Sequence, residues 1–295
     1  MLFQAAIPLL LRSYAWTAER LLLNPLLFAV LTGVFLLERR MPANRHQGLV
    51  SKGFWQDGFW FLGDGVLWMG ALTLVGEAVR SGYDRHLSFL NIDVALRLPT
   101  FARIAFALLL IDFLDWARHY LKHRIWWLWI FHAVHHSQRE MNLFTDFRVH
   151  VAERLINILL VFIPLRMFHV TTPTDYYIAL VLGWYRVIYH ANLRTNYGPL
   201  KYFLVTPQFH RVHHSVESAH VDTNFGVLFT VWDRLFGTHW TNYDDYPATG
   251  IDDSRFPFEQ ARGGAAVVGN WVAQTIYPFV ELVRHARPRR GDASS

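Results

Sequence analysis

Apolar positions gather into long runs with little alternation, the pattern of helices that are hydrophobic on most sides and not of half-buried strands. Residues 21–37 carry no charge and stop at Glu38-Arg39-Arg40. Residues 59–79 are apolar apart from Asp64 and Glu77, and 101–114 are interrupted only by Arg103 and Asp112. Two more runs, 155–170 and 176–189, flank the turn-forming Thr171-Thr172-Pro173-Thr174-Asp175. At ~1.5 Å per residue the first run reaches ~25 Å, a little short of a ~30 Å hydrocarbon core, so short membrane spans flanked by interfacial aromatics are expected. The last two runs are a tight transmembrane hairpin or a re-entrant pair. Residues 2–11 read as an interfacial helix without the basic start and small-residue cleavage site of a signal peptide. Residues 265–283, with Asn270, Gln274, Pro278 and Glu281, read as a helix lying on the membrane surface.

The predicted fold is therefore all-α: an integral-membrane helical bundle of four to five short spans with a cytoplasmic helical cap. Its expected divisions are 1–100 for N-terminal membrane helices, 101–265 for a catalytic region, and 266–295 for the interfacial helix and basic tail. Orientation follows from Lys and Arg. With three crossings and a hairpin, 20 of them fall on one side and 5 on the other, which places the first side in the cytoplasm. In a bacterium that membrane would be the plasma or inner membrane.

Composition narrows the chemistry. The 295 residues are 53% hydrophobic and 17% charged, which excludes a disordered chain. The absence of cysteine excludes disulfides, thiolate metal sites, iron–sulfur clusters and a cysteine nucleophile. A net charge of +5 and a basic tail without a folded basic surface or stacking platform point to anionic headgroups and not to nucleic acid. The 16 histidines are the unusual feature.

They fall into boxes. His119-Tyr120-Leu121-Lys122-His123 is an HxxxH, while His132-Ala133-Val134-His135-His136 and His210-Arg211-Val212-His213-His214 are both HxxHH. On a helix, residues three and four apart share a face, so each box offers two or three imidazoles to one point. Neutral imidazole is the commonest protein ligand for first-row transition metals. The boxes supply eight rings and His190, at the end of the fifth run, a ninth. One ion rarely takes more than six ligands, so nine rings argue for two ions. Missing HExxH argues against a zinc peptidase. Pro207-Gln208 marks a helix start before His210, and Gly198-Pro199 a turn.

These boxes, together with Asp115-Trp116-Ala117-Arg118 before the first, Trp129-Ile130-Phe131 before the second, Thr206-Pro207-Gln208-Phe209 before the third, Asp222-Thr223-Asn224-Phe225-Gly226 and Trp232-Asp233-Arg234-Leu235-Phe236-Gly237-Thr238, resemble the fatty acid hydroxylase/sterol desaturase superfamily of membrane histidine-rich di-iron enzymes. The likeness spans about 112–240. After the third box it is similar to the branch containing alkylglycerol monooxygenase and bacterial sterol-desaturase-like proteins. The resemblance implies two iron ions, dioxygen as co-substrate, and hydroxylation of a lipid C–H bond in a sterol, fatty acyl or ether lipid. Desaturation by the same site is the alternative. A zinc-loaded membrane protein without oxygenase activity is the alternative of another class, since zinc outcompetes ferrous iron at nitrogen sites. No haem-binding electron carrier is fused to the boxes, so a separate electron-donor protein or reductase is expected.

Supporting residues are sought among carboxylates that could accept the other ring N–H. Asp115, four residues before His119, is expected behind that ring, with Asp112 in a similar role, and Asp222 and Asn224 are expected to fix the third box. Glu153, with Arg148 and His150, is either a cluster behind the ligands or an interfacial ion pair, the latter preferred for Arg148 and Glu153, and His150 is a candidate tenth ligand. His220 and His239 sit in polar loops, while His46, His86, His169 and His285 are expected in solvent or at the interface.

Overall fold

The computed structural model describes residues 25–63, 67–261 and 263–286. The expected interfacial helix at 2–11, the first residues of the first apolar run and the basic end beyond 286 lie outside the described residues. Among the described residues there is no strand, only three isolated bridges, Pro42 with Leu193, Leu204 with Phe229 and Ser215 with Thr249.

The apolar runs are helical. The first forms α1 (Pro25–Arg40), whose last turn carries Arg39 and Arg40 against the negative end of the helix dipole. The second is divided between α2 (Lys52–Gly63) and α3 (Met69–His86). The third lies in α4 (Thr100–Arg124), which begins after the extended Pro99 and ends on Lys122, His123 and Arg124. A single extended residue, Ile125, separates α4 from α5 (Trp126–His136).

The two last runs form a helical hairpin. Its first arm comprises α6 (Val151–Asn157), a wide π turn over Ile158–Phe162, and α7 (Ile163–Met167). Its second arm is α8 (Pro173–His190), started by a Thr172–Asp175 capping box with proline in the first turn. The expected turn at 171–175 is thus largely the start of a helix, and the chain reverses just before it, where His169 adopts φ 55°.

Thr206 caps α9 (Pro207–His213), and α10 (Val231–Leu235) follows. The last helix, α11 (Gly264–Ala286), packs on α2 and α5 with Gln274 and Glu281 inward, while Val272, Ile276 and Phe279 face out. The segment 265–283 is thus helical with one buried and one exposed face. Among the described residues no helix is long and apolar enough to cross a membrane. In α4 the reason is visible: its second half is spent on Asp112, Asp115, Arg118 and the histidines.

The apolar cores are small and peripheral. Val34 of α1 meets Val187 of α8 and Ala191 just beyond its end, Ala107 and Ile111 of α4 meet Leu182, and Trp60 of α2 meets Val134 of α5. Between them the centre is polar, with Arg148, His150, His210, His214, Gln138 and Gln208 among the largest fully buried side chains.

Candidate metal centre

That polar centre is where α4, α5, α8 and α9 meet. α4, α5 and α9 bring imidazoles at helical spacing, α8 brings His190 alone, and all nine predicted rings arrive together. His119, His123, His132, His136 and His213 form one group, and His135, His190, His210 and His214 a second. Within each group one nitrogen per ring lies within 4.8 Å of all the others. The groups adjoin, because His135 and His136, like His213 and His214, are chain neighbours that point to different groups. His136 also stacks on His214 at 4.2 Å between centroids.

The outer nitrogens show what the inner ones are for. Nδ1 of His119 lies 3.0 Å from the Phe225 carbonyl, that of His135 3.2 Å from the Arg148 carbonyl, that of His190 2.8 Å from the Arg186 carbonyl and that of His213 2.8 Å from the Thr223 carbonyl. A carbonyl only accepts, so each Nδ1 carries the proton and donates it. His132 Nδ1 likewise faces the Glu153 carboxylate at 3.1 Å. In these five rings Nε2 is left as a bare lone pair.

Those lone pairs converge. Nε2 of His136 lies 3.1 Å from Nε2 of both His123 and His213. In the second group Nε2–Nε2 distances run 3.1 Å from His135 to His190, 2.8 Å from His190 to His210 and 3.1 Å from His210 to His214. Nε2 of His119 and His132 is buried without a hydrogen-bond partner. Acceptors facing acceptors repel, and a cation at the centre of each group is the partner that would satisfy them all. Burial, reinforced by nearby positive charge, holds His119, His132, His135, His136, His210, His213 and His214 well below the ordinary histidine range, which keeps the rings neutral as ligands must be. The donor set, nine neutral imidazoles in groups of five and four, fits two first-row divalent ions.

A cavity of about 180 Å³ opens onto His119, His132, His135, His190 and His210. Its other walls are charged, including Arg118, Lys122, Asp146, Glu153 and Arg186. Lys122 Nζ lies 2.6 Å from Glu153 Oε1, the same oxygen that faces His132. Burial opposes the charge on Glu153, but the Lys122 ammonium, with further positive neighbours such as Arg118, holds the carboxyl below its usual range.

Several supporting roles differ from expectation. Asp115 is not behind His119: Arg118, one residue closer along the helix, takes it at 2.7 Å, with Arg186 at 3.8 Å. Asp112 instead holds the loop beyond α9, accepting from Leu228 N, Phe229 N and Trp232 Nε1. Asn224, at φ 62°, bonds the Phe209 carbonyl and Trp240 N and touches no imidazole in either group. Asp222 stands 3.7 Å from His123 Nδ1 and 2.9 Å from Arg124. Glu153 pairs with Lys122 and His132 and not with Arg148, because Arg148 is taken by Asp57 and Glu259. His150 joins neither group, since it caps α6 through Nδ1 and meets the Thr275 carbonyl through Nε2. His220 bonds Ser215 and His239 bonds Tyr243, both away from the two groups.

Two residues whose roles the sequence reading missed complete the frame. Asp233 accepts from Phe225 N, Gly226 N and Trp116 Nε1, fixing the backbone whose carbonyl meets His119. Asp57 accepts from Gln138, Asn142, Thr145 and Arg148, fixing the loop whose carbonyl meets His135. The only signal for Asp233 was its place in the Trp232–Thr238 motif, and none marked Asp57.

Residues 104–238, which hold all nine rings, match the fatty acid hydroxylase family model. Over that stretch the chain is similar to the fatty acid hydroxylase family. It is 33% identical to ornithine lipid hydroxylase OlsE of Rhizobium tropici over 181 residues, 61% of this chain and 51% of that protein. It is 32% identical to human alkylglycerol monooxygenase over 133 residues, 45% of this chain and 29% of that protein. The Caenorhabditis elegans alkylglycerol monooxygenase is 31% identical over 161 residues, 52% of this chain and 30% of that one. The chain thus spans about half or less of these relatives. No solved structure matches it.

Proposed function

We propose that the chain is a membrane-bound dimetal oxygenase that hydroxylates a C–H bond of a lipid. One atom of dioxygen enters the C–H bond and the other leaves as water, with two electrons and two protons supplied by a separate donor protein. The observation that carries this reading is the convergence of nine buried imidazoles, five of them with the proton held outward and the lone pair inward, beside a cavity large enough for a reacting group. Two iron ions, held by His119, His123, His132, His136 and His213 and by His135, His190, His210 and His214, would supply the activation of dioxygen that side chains cannot provide alone. The chain's own part is to fix His119, His132, His135, His190 and His213 by their outer hydrogen bonds, to keep the rings neutral by burial, and to balance charge through Glu153 and Asp222. That relatives are named a lipid hydroxylase and alkylglycerol monooxygenases supports a lipid substrate.

Membrane association rests on the exposed apolar side chains of α1, α4 and α11, among them Phe28, Leu36, Phe101, Leu109, Ile276 and Phe279. The Lys and Arg asymmetry of the sequence supports a cytoplasmic position for the centre.

The test is direct. The purified chain, loaded anaerobically with ferrous iron, receives reductant, dioxygen and a total lipid extract, and products are read by mass spectrometry. A lipid heavier by one oxygen is expected, absent from His135→Ala. A product lighter by two hydrogens would replace hydroxylation with desaturation, and no oxidised sterol, acyl or ether lipid would overturn the reading.

A further inference from the structure

Beside the polar cavity lies a second one of opposite character. A groove of about 510 Å³ between α2 and α11 is lined by Phe54, Trp55, Phe59, Leu62, Phe144 and Val267, with almost no polar surface. Its size lies within the range of small-molecule sites. Phe61 and Phe144 belong to its wall and Phe147 to the wall of the polar cavity. Phe61 meets Phe147 edge-on at 4.6 Å and stacks on Phe144 at 5.4 Å. One layer of aromatic rings therefore separates a dry groove from the cavity that faces the imidazoles.

We propose that this groove receives the alkyl chain of the substrate while its polar end occupies the polar cavity, with Phe61, Phe144 and Phe147 forming the partition the chain crosses. The inference rests on the lipid reading above and specifies how that site divides its substrate. Each compartment refuses the other end. An alkyl chain among Arg118, Lys122, Asp146, Glu153 and Arg186 would strip water from charges and give nothing back, and a polar group in the groove would find no partner. Adjacency across one ring layer makes a single amphiphile the occupant that satisfies both. Gly58 keeps the groove open: a Cβ there would stand 3.7 Å from the Phe144 ring, in ordinary contact, so a larger side chain is accommodated only by filling the groove.

The probe is palmitic acid carrying a diazirine at its methyl end, photolysed with the full chain in dodecylmaltoside micelles, and adducts are mapped by peptide mass spectrometry. Adducts competed by unlabelled palmitate are expected within 52–63 and 263–268. Gly58→Leu should reduce them roughly tenfold, a loss of about 1.4 kcal/mol in binding. Val268→Phe, on the groove's half-exposed rim, tests the same point should Gly58→Leu fail to fold. Adducts spread over the exposed apolar surface, or groove adducts unaffected by both competitor and Val268→Phe, would overturn the proposal. Labelling needs neither iron nor turnover. A labelled groove in a protein that oxidises no lipid defeats only the oxygenase reading, and an unlabelled groove in an active enzyme defeats only this one.

Discussion

The two imidazole groups stand side by side but are held in different ways. Behind the five-ring group are two carboxylates, Glu153 at His132 and Asp222 at His123, and two carbonyls, of Phe225 and Thr223. Behind the four-ring group the close partners are carbonyls, of Arg148 and Arg186. Asp146 lies 3.4 Å from His190 Nδ1 but shares its charge with Arg186, also at 3.4 Å. Nδ1 of His210 and of His214 is buried without a partner. A carbonyl fixes a ring's tautomer, whereas a carboxylate also makes the ring a stronger donor and offsets the charge of an ion. The difference in outer partners leads us to expect that the five-ring group binds a metal ion first and more tightly than the four-ring group.

The largest break in that comparison comes from removing a ring on each side. His190→Ala leaves three rings in the weaker group, and metal content measured by elemental analysis should fall from two ions per chain to one. His123→Ala leaves four rings in the stronger group and should lose less metal at equal free iron. Equal losses from the two variants would show that the outer partners do not rank the sites.

Next comes Glu153→Gln, which keeps the shape and removes the charge behind His132. Loss of such an outer partner typically weakens metal binding by about 10–100-fold, and the loss should fall on the five-ring group alone. The same change strands the Lys122 ammonium, at a stability cost of about 3–5 kcal/mol for a broken buried pair. Adding Lys122→Met should recover stability in thermal unfolding but not metal affinity. Joint recovery would mean that Glu153 matters for folding only.

What could be read in the chain and what could not divide along the same line. The rings were legible because three- and four-residue spacing on a helix is fixed geometry, and the start of α9 because Thr206 and Pro207 have one obvious use there. The outer partners were not. Four of them are backbone carbonyls, which leave no side-chain signature. Asp115 was on the expected face, but Arg118 reaches it first. Arg148 and Glu153 looked like partners because they are close in sequence. His150 starts a helix between them, so Glu153 turns to Lys122 while Arg148 finds Asp57, 91 residues away. Long-range choices of that kind are made by tertiary packing, and no local pattern announces them. The apolar runs gave the helices and were read as short spans, but among the described residues no helix is long and apolar enough to cross a membrane.

The smallest effect is expected at Asp222, and it sharpens the comparison because it separates charge from geometry. Asp222 sits in the left-handed region at φ 60°, which asparagine adopts nearly as readily as aspartate, so Asp222→Asn keeps the loop while removing the carboxylate. Its side chain is 28% exposed and it also pairs with Arg124 at 2.9 Å, so solvent and a second cation dilute its action on His123. The metal affinity of the five-ring group should therefore fall by less than about tenfold, below the range for a fully buried partner. Raising the salt from 0.05 to 0.5 M should shrink the difference between Asp222→Asn and the parent, since exposed charges are screened over about 10 Å at 0.1 M. Asp222→Ala adds backbone strain to the loss of charge and should cost stability that Asp222→Asn does not. An asparagine variant as weak as Glu153→Gln, and insensitive to salt, would mean that Asp222 acts on the ring at closer range than the 3.7 Å seen here.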